Sequence, residues 1–412
     1  SKMSNSSDDK YTVEDAKEEI DILQRVEEDV VEAIKNAENE DVLRYLIEEE
    51  KLDCEHDGER GLGRVRRAIL ESRLASDRLK RLVSLRGDDT PEDILVPDDV
   101  LRNAKVALEA GKPVVLYGPT GTGKTTFAKQ LARETGIGYS LHTATPSWTP
   151  SDIIGGISPD YTGESLSYRT KLGCVSEAVQ RARQFEVDYG VILDEITRAD
   201  ISKIFGPLYT AIENPHQTIF ETDDGTTIEL IDEVNIICTM NMSDRTVNEL
   251  DNAITRRFAM IELDEYEEDK RQQLFQDWVS THISGQTDLD EGELLRLFER
   301  DYDGINHGNE TTAQGAIMRF GPMHYRDVAI FIGVACREGG EYEYDQTDAV
   351  GQAFRTYIVP RLLNSAAFPQ VERIAEHYRA LNDDFESFDL SPAAELAERE
   401  LEQERRQMGS YE

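Results

Sequence analysis

The chain is organised around one stretch, Gly118-Pro119-Thr120-Gly121-Thr122-Gly123-Lys124-Thr125. An apolar run at 113–117 precedes it and predicts a buried strand, while the run at 126–132 predicts an amphipathic helix. The stretch has the form G-x-x-x-x-G-K-[ST] between a strand and a helix, which is the setting of a phosphate-binding loop. A glycine-rich turn without a ligand is the alternative, and the Lys–Thr pair argues against it. The sequence therefore predicts a nucleoside triphosphate site.

The residue types of this loop suit a polyphosphate. Glycines let backbone N–H groups turn inward to phosphate oxygens, and the N-terminus of the following helix adds a positive partial charge. Lys124 can reach the β- and γ-phosphates, and the Thr125 hydroxyl can ligate Mg²⁺. The residues expected to contact the nucleotide are Gly118, Pro119, Thr120, Gly121, Thr122, Gly123, Lys124, Thr125 and Thr126.

Two further apolar runs end in polar side chains. The run at 190–193 ends in Asp194 and Glu195, about seventy residues after the loop, and the run at 234–240 ends in Asn241. Asp194 is expected to hold Mg²⁺ through water, and Glu195 to orient and polarise the attacking water. The Asn241 amide could bond that water or the γ-phosphate. Because strands alternate with helices, we expect a parallel sheet whose carboxyl ends bring these groups to the loop.

The composition is strongly acidic. The 412 residues carry a formal net charge of −38, and only 13 of the 45 basic residues are lysines. An acidic excess with few lysines favours a halophilic protein, because concentrated salt screens self-repulsion. An acidic mesophilic protein is the alternative. Such a charge does not attract nucleic acid overall, although a local basic surface could do so.

The cysteines and the apolar runs indicate the cellular compartment of the protein. The four thiols are scattered and form no C-x-x-C pair, which fits a reducing cytoplasm better than a disulfide framework. No zinc-ligand spacing, signal peptide or membrane-spanning run is evident. We expect a cytoplasmic protein without a membrane partner. The cysteines are Cys54, Cys174, Cys238 and Cys336.

The predicted class is α/β with added helical parts. Residues 1–90 predict a small, acidic, all-helical domain, 91–264 the α/β nucleotide-binding core, 265–385 a helical lid, and 386–412 a charged tail helix that is solvated or faces a partner. Within the first domain, the helix at 64–86 is basic. It could contact nucleic acid or an acidic partner, or it could pair with the acidic helices of its own domain. Its basic side chains include Arg66, Arg67, Arg73, Arg78, Lys80 and Arg81.

With these residues in place, the chain resembles AAA+ ATPases of the MoxR and McrB-like (dynein-related) branch over roughly residues 91–335. The phosphate loop resembles Walker A, the segment 191–195 resembles Walker B, and Asn241 lies where the family has sensor 1. The run D-E-I-T-R-A at 194–199 resembles the family's D-E-I-N-R-A. It departs from that pattern at Thr197, where asparagine is usual.

The resemblance also implies roles for arginines. Arg257, immediately before Phe258, lies where the family places its arginine finger, and Arg256 is a second candidate. Arg326, at a helix start in the lid, resembles sensor 2, and Arg319 competes for that role. The position two residues before Arg326 usually holds a small residue and is a histidine here.

The runs at 240–245 and 251–258 resemble McrB more than MoxR. McrB-type motors are GTPases that work with a nuclease partner, whereas most relatives use ATP. The resemblance therefore leaves both ATP and GTP open as substrates, each with Mg²⁺. No methyl-DNA-reading domain and no nuclease motif is evident.

The resemblance implies an AAA+ P-loop NTPase core in a homo-oligomeric ring, a hexamer, with nucleotide between subunits. The first expected function is the motor of a DNA restriction or defence system that acts on DNA through a nuclease partner. The second is a MoxR-type chaperone that assembles protein complexes or inserts metal cofactors. The third is a nucleotide-binding scaffold with little turnover.

Overall fold

A computed structural model describes residues 96–136, 138–160, 167–185, 188–241, 252–264, 266–308 and 315–409. The predicted helical domain at 1–90, with its basic helix at 64–86, lies outside the described residues. So does the segment 242–251 of the run that resembles McrB.

Nine strands form one larger sheet and two hairpins in the described part of the chain. The larger sheet is parallel with the order β2-β5-β8-β1-β9, and its central strands are apolar and buried because helices cover both faces. The strands are β1 (Val114–Gly118), β2 (Tyr139–Thr143), β3 (Gly155–Asp160), β4 (Ser167–Leu172), β5 (Tyr189–Asp194), β6 (Thr218–Glu221), β7 (Thr227–Glu229), β8 (Val234–Asn241) and β9 (Ala259–Glu262). Hairpins β3–β4 and β6–β7 are antiparallel.

The helices fall into two groups along the chain. The first seven alternate with the strands, and the rest follow the last strand. They are α1 (Asp98–Glu109), α2 (Lys124–Thr135), α3 (Pro150–Ile153), α4 (Cys174–Phe185), α5 (Ile201–Ile204), α6 (Gly206–Glu213), α7 (Asn252–Arg257), α8 (Glu268–His282), α9 (Glu291–Asn306), α10 (His324–Cys336), α11 (Gln346–Tyr357), α12 (Val359–Ser365), α13 (Phe368–Asp384) and α14 (Ser391–Gly409). No helix among the described residues is both long and apolar enough to cross a bilayer.

The register of the sheet places the polar strand ends together. Gly118 of β1 lies opposite Asn241 of β8, and Asp194 of β5 lies opposite Thr143 of β2. Since all five strands run the same way, these ends share one edge of the sheet, where α/β proteins bind ligands. The predicted parallel α/β core with a helical region after it is confirmed.

Aromatic side chains organise the helical region after β9. Phe275 of α8 packs against Phe298 of α9 and Tyr325 of α10, with ring centroids 5.7 and 5.0 Å apart. Beneath them, Asp301 is fully buried and accepts hydrogen bonds from the Tyr325 hydroxyl (2.6 Å) and from His377 Nε2 (2.8 Å). The buried carboxylate of α9 is thus satisfied by groups from two other helices, α10 and α13.

The C-terminal helix differs from the expectation of a solvated tail. The first half of α14 buries four apolar side chains in the same core as α11 and α13. That prediction was wrong because alanines at helical spacing, although small, present a continuous apolar stripe between the charged positions. The buried side chains are Ala393, Ala394, Ala397 and Leu401.

Candidate nucleotide-binding site

The phosphate loop connects β1 to α2. Three of its glycines, Gly118, Gly121 and Gly123, have positive φ angles (150°, 76° and 84°) that other residues rarely adopt. A Cβ at Gly118 would also overlap the backbone carbonyl of Leu263, which follows β9. Glycine is therefore required both by the backbone conformation and by the close approach of the neighbouring chain.

Lys124 starts α2 and is almost completely buried. Its Nζ donates hydrogen bonds to the carbonyl oxygens of Pro119 (2.5 Å) and Gly118 (3.2 Å) and to Thr122 Oγ1 (3.3 Å). Burial lowers the pKa of Lys124 to about 8, against the opposing attraction of Asp194 and Glu195. The ammonium is thus held against weak neutral acceptors that an anionic phosphate oxygen would replace.

The carboxylate of Asp194 lies directly beside the loop. Its Oδ1 accepts hydrogen bonds from Thr125 Oγ1 (2.7 Å) and from Thr239 Oγ1 (2.5 Å). Thr239 is buried inside β8, two residues before Asn241 at the strand end. The fold therefore brings the loop hydroxyl and the acid of β5 into direct contact.

Glu195 is held in an unusual conformation. It has a φ of 53°, in the left-handed region that costs a non-glycine residue about 1–2 kcal/mol. Its backbone N–H donates to Thr239 Oγ1 (3.0 Å), and its carboxylate forms an ion pair with Arg198 (2.6 Å). Backbone strain of this kind often occurs at functional sites.

The residues present fit a nucleotide with Mg²⁺. Oxygen ligands suit Mg²⁺, and a hydroxyl and a carboxylate already lie within hydrogen-bond distance at Thr125 and Asp194. No cluster of three or more His, Cys, Asp or Glu side chains that could hold a metal occurs in the described residues. A Mg²⁺ ion held here would therefore complete its shell with phosphate oxygens and water, as it does with nucleotides.

Helix α7 carries the two candidate finger arginines. Arg257 folds back onto its own chain: it pairs with Glu213 (2.6 Å), donates to the Ala253 carbonyl (3.1 Å) and lies over the Tyr209 ring, 5.0 Å from its centroid. Arg256, by contrast, is exposed. Asn241 is exposed at the end of β8. The roles expected for these three residues stay predictions.

The candidates for sensor 2 lie in different surroundings. Arg326 is in the first turn of α10 and is partly buried. Arg319 is tied to β9 through Glu262 (3.0 Å) and to Asp264 just beyond it. These ion pairs account for the position of Arg319 beside β9. The role of Arg326 stays a prediction.

Sequence reasoning missed several residues of the site. Thr239 lies inside an apolar strand. Its hydroxyl, two positions before the asparagine that ends the strand, is the one local signal for it. Tyr266 donates from its hydroxyl to the Thr122 carbonyl (2.9 Å), and Gly321 donates its N–H to the Thr120 carbonyl (2.8 Å). These contacts join the loop to segments more than 140 residues away, and no local pattern reveals them.

A strand–loop–helix with a buried lysine, a hydroxyl–carboxylate pair and an asparagine at one sheet edge is the arrangement of a P-loop nucleotide-binding core. Residues 113–258 match the family model described as "AAA domain (dynein-related subfamily)". Residues 113–258 are therefore similar to AAA+ domains of the branch that includes McrB.

Curated relatives agree with this class. The chain is 28% identical over 190 residues to the type IV methyl-directed restriction enzyme EcoKMcrB subunit of Escherichia coli (strain K12), covering 43% of this chain and 40% of that protein. It is 28% identical over 163 residues to midasin of Dictyostelium discoideum, covering 38% of this chain and 3% of that protein. It is 35% identical over 153 residues to the transcriptional activator RocR of Bacillus subtilis (strain 168), covering 35% and 29%. The chain thus spans two fifths or less of these relatives.

Similar solved structures include the Holliday junction branch migration motor RuvB of Thermotoga maritima. It has a TM-score of 0.40 at 16% identity and covers 74% of this chain and 89% of that chain. NtrX from Brucella abortus in complex with ADP has a TM-score of 0.43 at 16% identity, covering 86% and 76%.

Proposed function

We propose that the protein is a ring-forming AAA+ nucleoside triphosphatase that hydrolyses ATP or GTP with Mg²⁺ to remodel or translocate a substrate. The observation that carries the proposal is the 2.7 Å hydrogen bond between Thr125 and Asp194 beside the buried Lys124. This contact joins the phosphate loop to the acid of β5, as nucleotide hydrolysis requires.

Each polar group at the sheet edge has a role in this proposal. The backbone N–H groups of Gly118 and of residues 120–126, together with the Lys124 ammonium, bind the polyphosphate. Thr125 and Asp194 hold Mg²⁺, which supplies neutralisation of phosphate charge when bound. Glu195 orients and polarises the attacking water, and Asn241 fixes the position of that water or of the γ-phosphate.

The arginines act across a subunit boundary in the proposed homo-oligomeric ring, which we take to be a hexamer. Arginine fingers stabilise the charge of phosphoryl transfer and are worth about 10³–10⁵ in rate. Arg256 is exposed and available to a neighbour, whereas Arg257 would first have to leave Glu213 and Tyr209. Arg326 is proposed to contact the nucleotide from α10.

For the biological role, we propose the motor of a DNA restriction or defence system. The support is the similarity to the methyl-directed restriction enzyme subunit of Escherichia coli, over the part that the two chains share. In this role the ring works with a partner protein such as a nuclease and reaches DNA through that partner. A MoxR-type chaperone and a nucleotide-binding scaffold become outcomes of the test below.

The test is steady-state hydrolysis of ATP and GTP, side by side, in molar KCl with and without duplex DNA. We expect turnover of one nucleotide to exceed that of the Glu195→Gln variant by about 10²–10⁴-fold. The variant should still bind nucleotide, because its amide keeps the shape of the carboxyl group. High salt is needed in the DNA arm because phosphate contacts vary steeply with ionic strength.

The outcomes separate the three functions. Preference for GTP, or stimulation by DNA, supports the restriction motor. ATP turnover that is unchanged by DNA supports the remodelling chaperone. Nucleotide binding with wild-type turnover no faster than that of Glu195→Gln supports the scaffold and contradicts the proposed catalytic role of Glu195.

A further inference from the structure

The imidazole of His324, the first residue of α10, is buried against the phosphate loop. His324 is 7% exposed. A Cβ atom at Gly121 would overlap the Nε2 edge of the His324 ring. The backbone before it is docked on the same loop, with the N–H of Gly321 bonded to the Thr120 carbonyl (2.8 Å) and that of Met323 to the Gly121 carbonyl (2.9 Å). The helical region thus reaches the nucleotide site through this histidine.

Neighbouring groups fix the tautomer of the imidazole. Arg361 Nη1 lies 2.8 Å from His324 Nδ1, and a guanidinium can only donate, so Nδ1 accepts and the proton is on Nε2. Asp327 holds Arg361 in place (2.7 Å), and Phe320 stacks on the ring with centroids 4.0 Å apart. The histidine is therefore a rigid N–H donor directed at Gly121.

The ring is neutral. Burial lowers the pKa of His324 to about 3, and the charge of Arg361 acts in the same direction. The nearby Thr120 carbonyl raises the pKa of His324, but by a smaller amount. Even so, Nε2 makes no hydrogen bond of normal geometry with the described residues. A buried donor without a good acceptor is costly, and at this place an anionic oxygen would satisfy it.

We propose that His324 binds the nucleotide by donating its Nε2 hydrogen bond to a phosphate oxygen in the loop. Through this contact α10 would respond to the polyphosphate directly, independently of Arg326, which lies two positions further along the same turn. This inference rests on the proposed nucleotide-binding function. The chemistry favours a phosphate over a base, because the donor lies beside the Gly121 backbone that would cradle the phosphates.

Two variants isolate the donor. His324→Phe keeps a flat ring to stack on Phe320 but removes the N–H, whereas His324→Gln keeps an N–H at similar reach. We measure equilibrium binding of a fluorescent ADP analogue to the full chain in molar KCl, and its competition by inorganic pyrophosphate. His324→Phe should weaken both by about tenfold or more, as expected for a hydrogen bond to a charged group, and His324→Gln by less than about threefold.

A measurement on the wild-type protein avoids dependence on variant folding. The ¹⁵N and ¹H resonances of Nε2 should shift when pyrophosphate with Mg²⁺ is added, and Nδ1 should keep the shift of an acceptor. If wild type binds but His324→Phe binds equally well, or loses nucleotide affinity without losing pyrophosphate affinity, the assignment is overturned. An unmoved Nε2 resonance on saturation also overturns it. No binding by wild type would instead refute the proposed function itself.

Discussion

Thr239 allows a sharp test of how the acid strand is positioned. Its hydroxyl donates to the Asp194 carboxylate (2.5 Å) and accepts from the backbone N–H of Glu195 (3.0 Å), so one atom contacts both residues of the acid pair. Thr239→Val preserves the shape of the side chain inside β8 and removes only the hydroxyl. The variant therefore separates hydrogen bonding from packing.

The expected loss follows from burial. Thr239 is 1% exposed, so water cannot replace its hydroxyl at the Glu195 N–H. One hydrogen bond to a carboxylate and one unsatisfied backbone donor together predict a loss of about 2–4 kcal/mol in the free energy of unfolding. Because Glu195 has a strained φ that this contact supports, we also expect kcat to fall by about 10–100-fold through misplacement of the carboxylate.

Two assays check these values: denaturant unfolding of the free chain, and hydrolysis at saturating nucleotide. Thr239→Ser is the matched control, since it keeps the hydroxyl and loses one methyl group, worth about 0.8 kcal/mol. The valine variant should lose more stability and much more activity than the serine variant. If valine is as stable and active as serine, the hydroxyl does not position Glu195.

Three further changes have defined outcomes. Because burial lowers the pKa of Lys124 to about 8, the folded chain releases that proton more readily than the unfolded chain. Stability measured by denaturant should therefore rise between pH 8 and 10 relative to Lys124→Met. Arg257→Met should cost about 1–2 kcal/mol of stability through its contacts with Glu213 and Tyr209, whereas Arg256→Met should change it by less than about 0.5 kcal/mol. Asp301→Asn should cost about 2–4 kcal/mol in urea unfolding, because its buried partners lose a charged acceptor.

Much of the α/β core could be predicted from local patterns. Strand β8 agrees with the apolar run at 234–240 and its terminal Asn241, because an apolar run that ends in a polar residue is a local signal. Residues 201–213 form two helices, α5 and α6, which are separated at Phe205 and have Pro207 at the start of the second. Proline at the first turn starts a new helix rather than continuing the old one.

The remaining differences come from contacts that are distant in sequence. Strand β9 has only four residues and gains its place by pairing with β1, which no local signal shows. Helix α13 was missed although Val371, Ile374, Tyr378 and Leu381 have helical spacing and are buried. The docking of His324 on Gly121 joins positions about 200 residues apart, so it depends on the assembled fold.

The pairing of β9 with β1 has a mechanical consequence. Helix α7 ends at Arg257, and the chain then runs along β1, with the N–H of Ala259 bonded to Pro113 (2.7 Å) and that of Leu263 to Tyr117 (2.8 Å). Only nine positions after Arg257, the Tyr266 hydroxyl bonds the Thr122 carbonyl (2.9 Å). Extended chain fixed by hydrogen bonds resists stretching, so a displacement of α7 by a neighbouring molecule would pull on the phosphate loop of the same subunit. In the proposed ring, β9 would couple the helix that carries the two arginines to the phosphate loop of the same subunit.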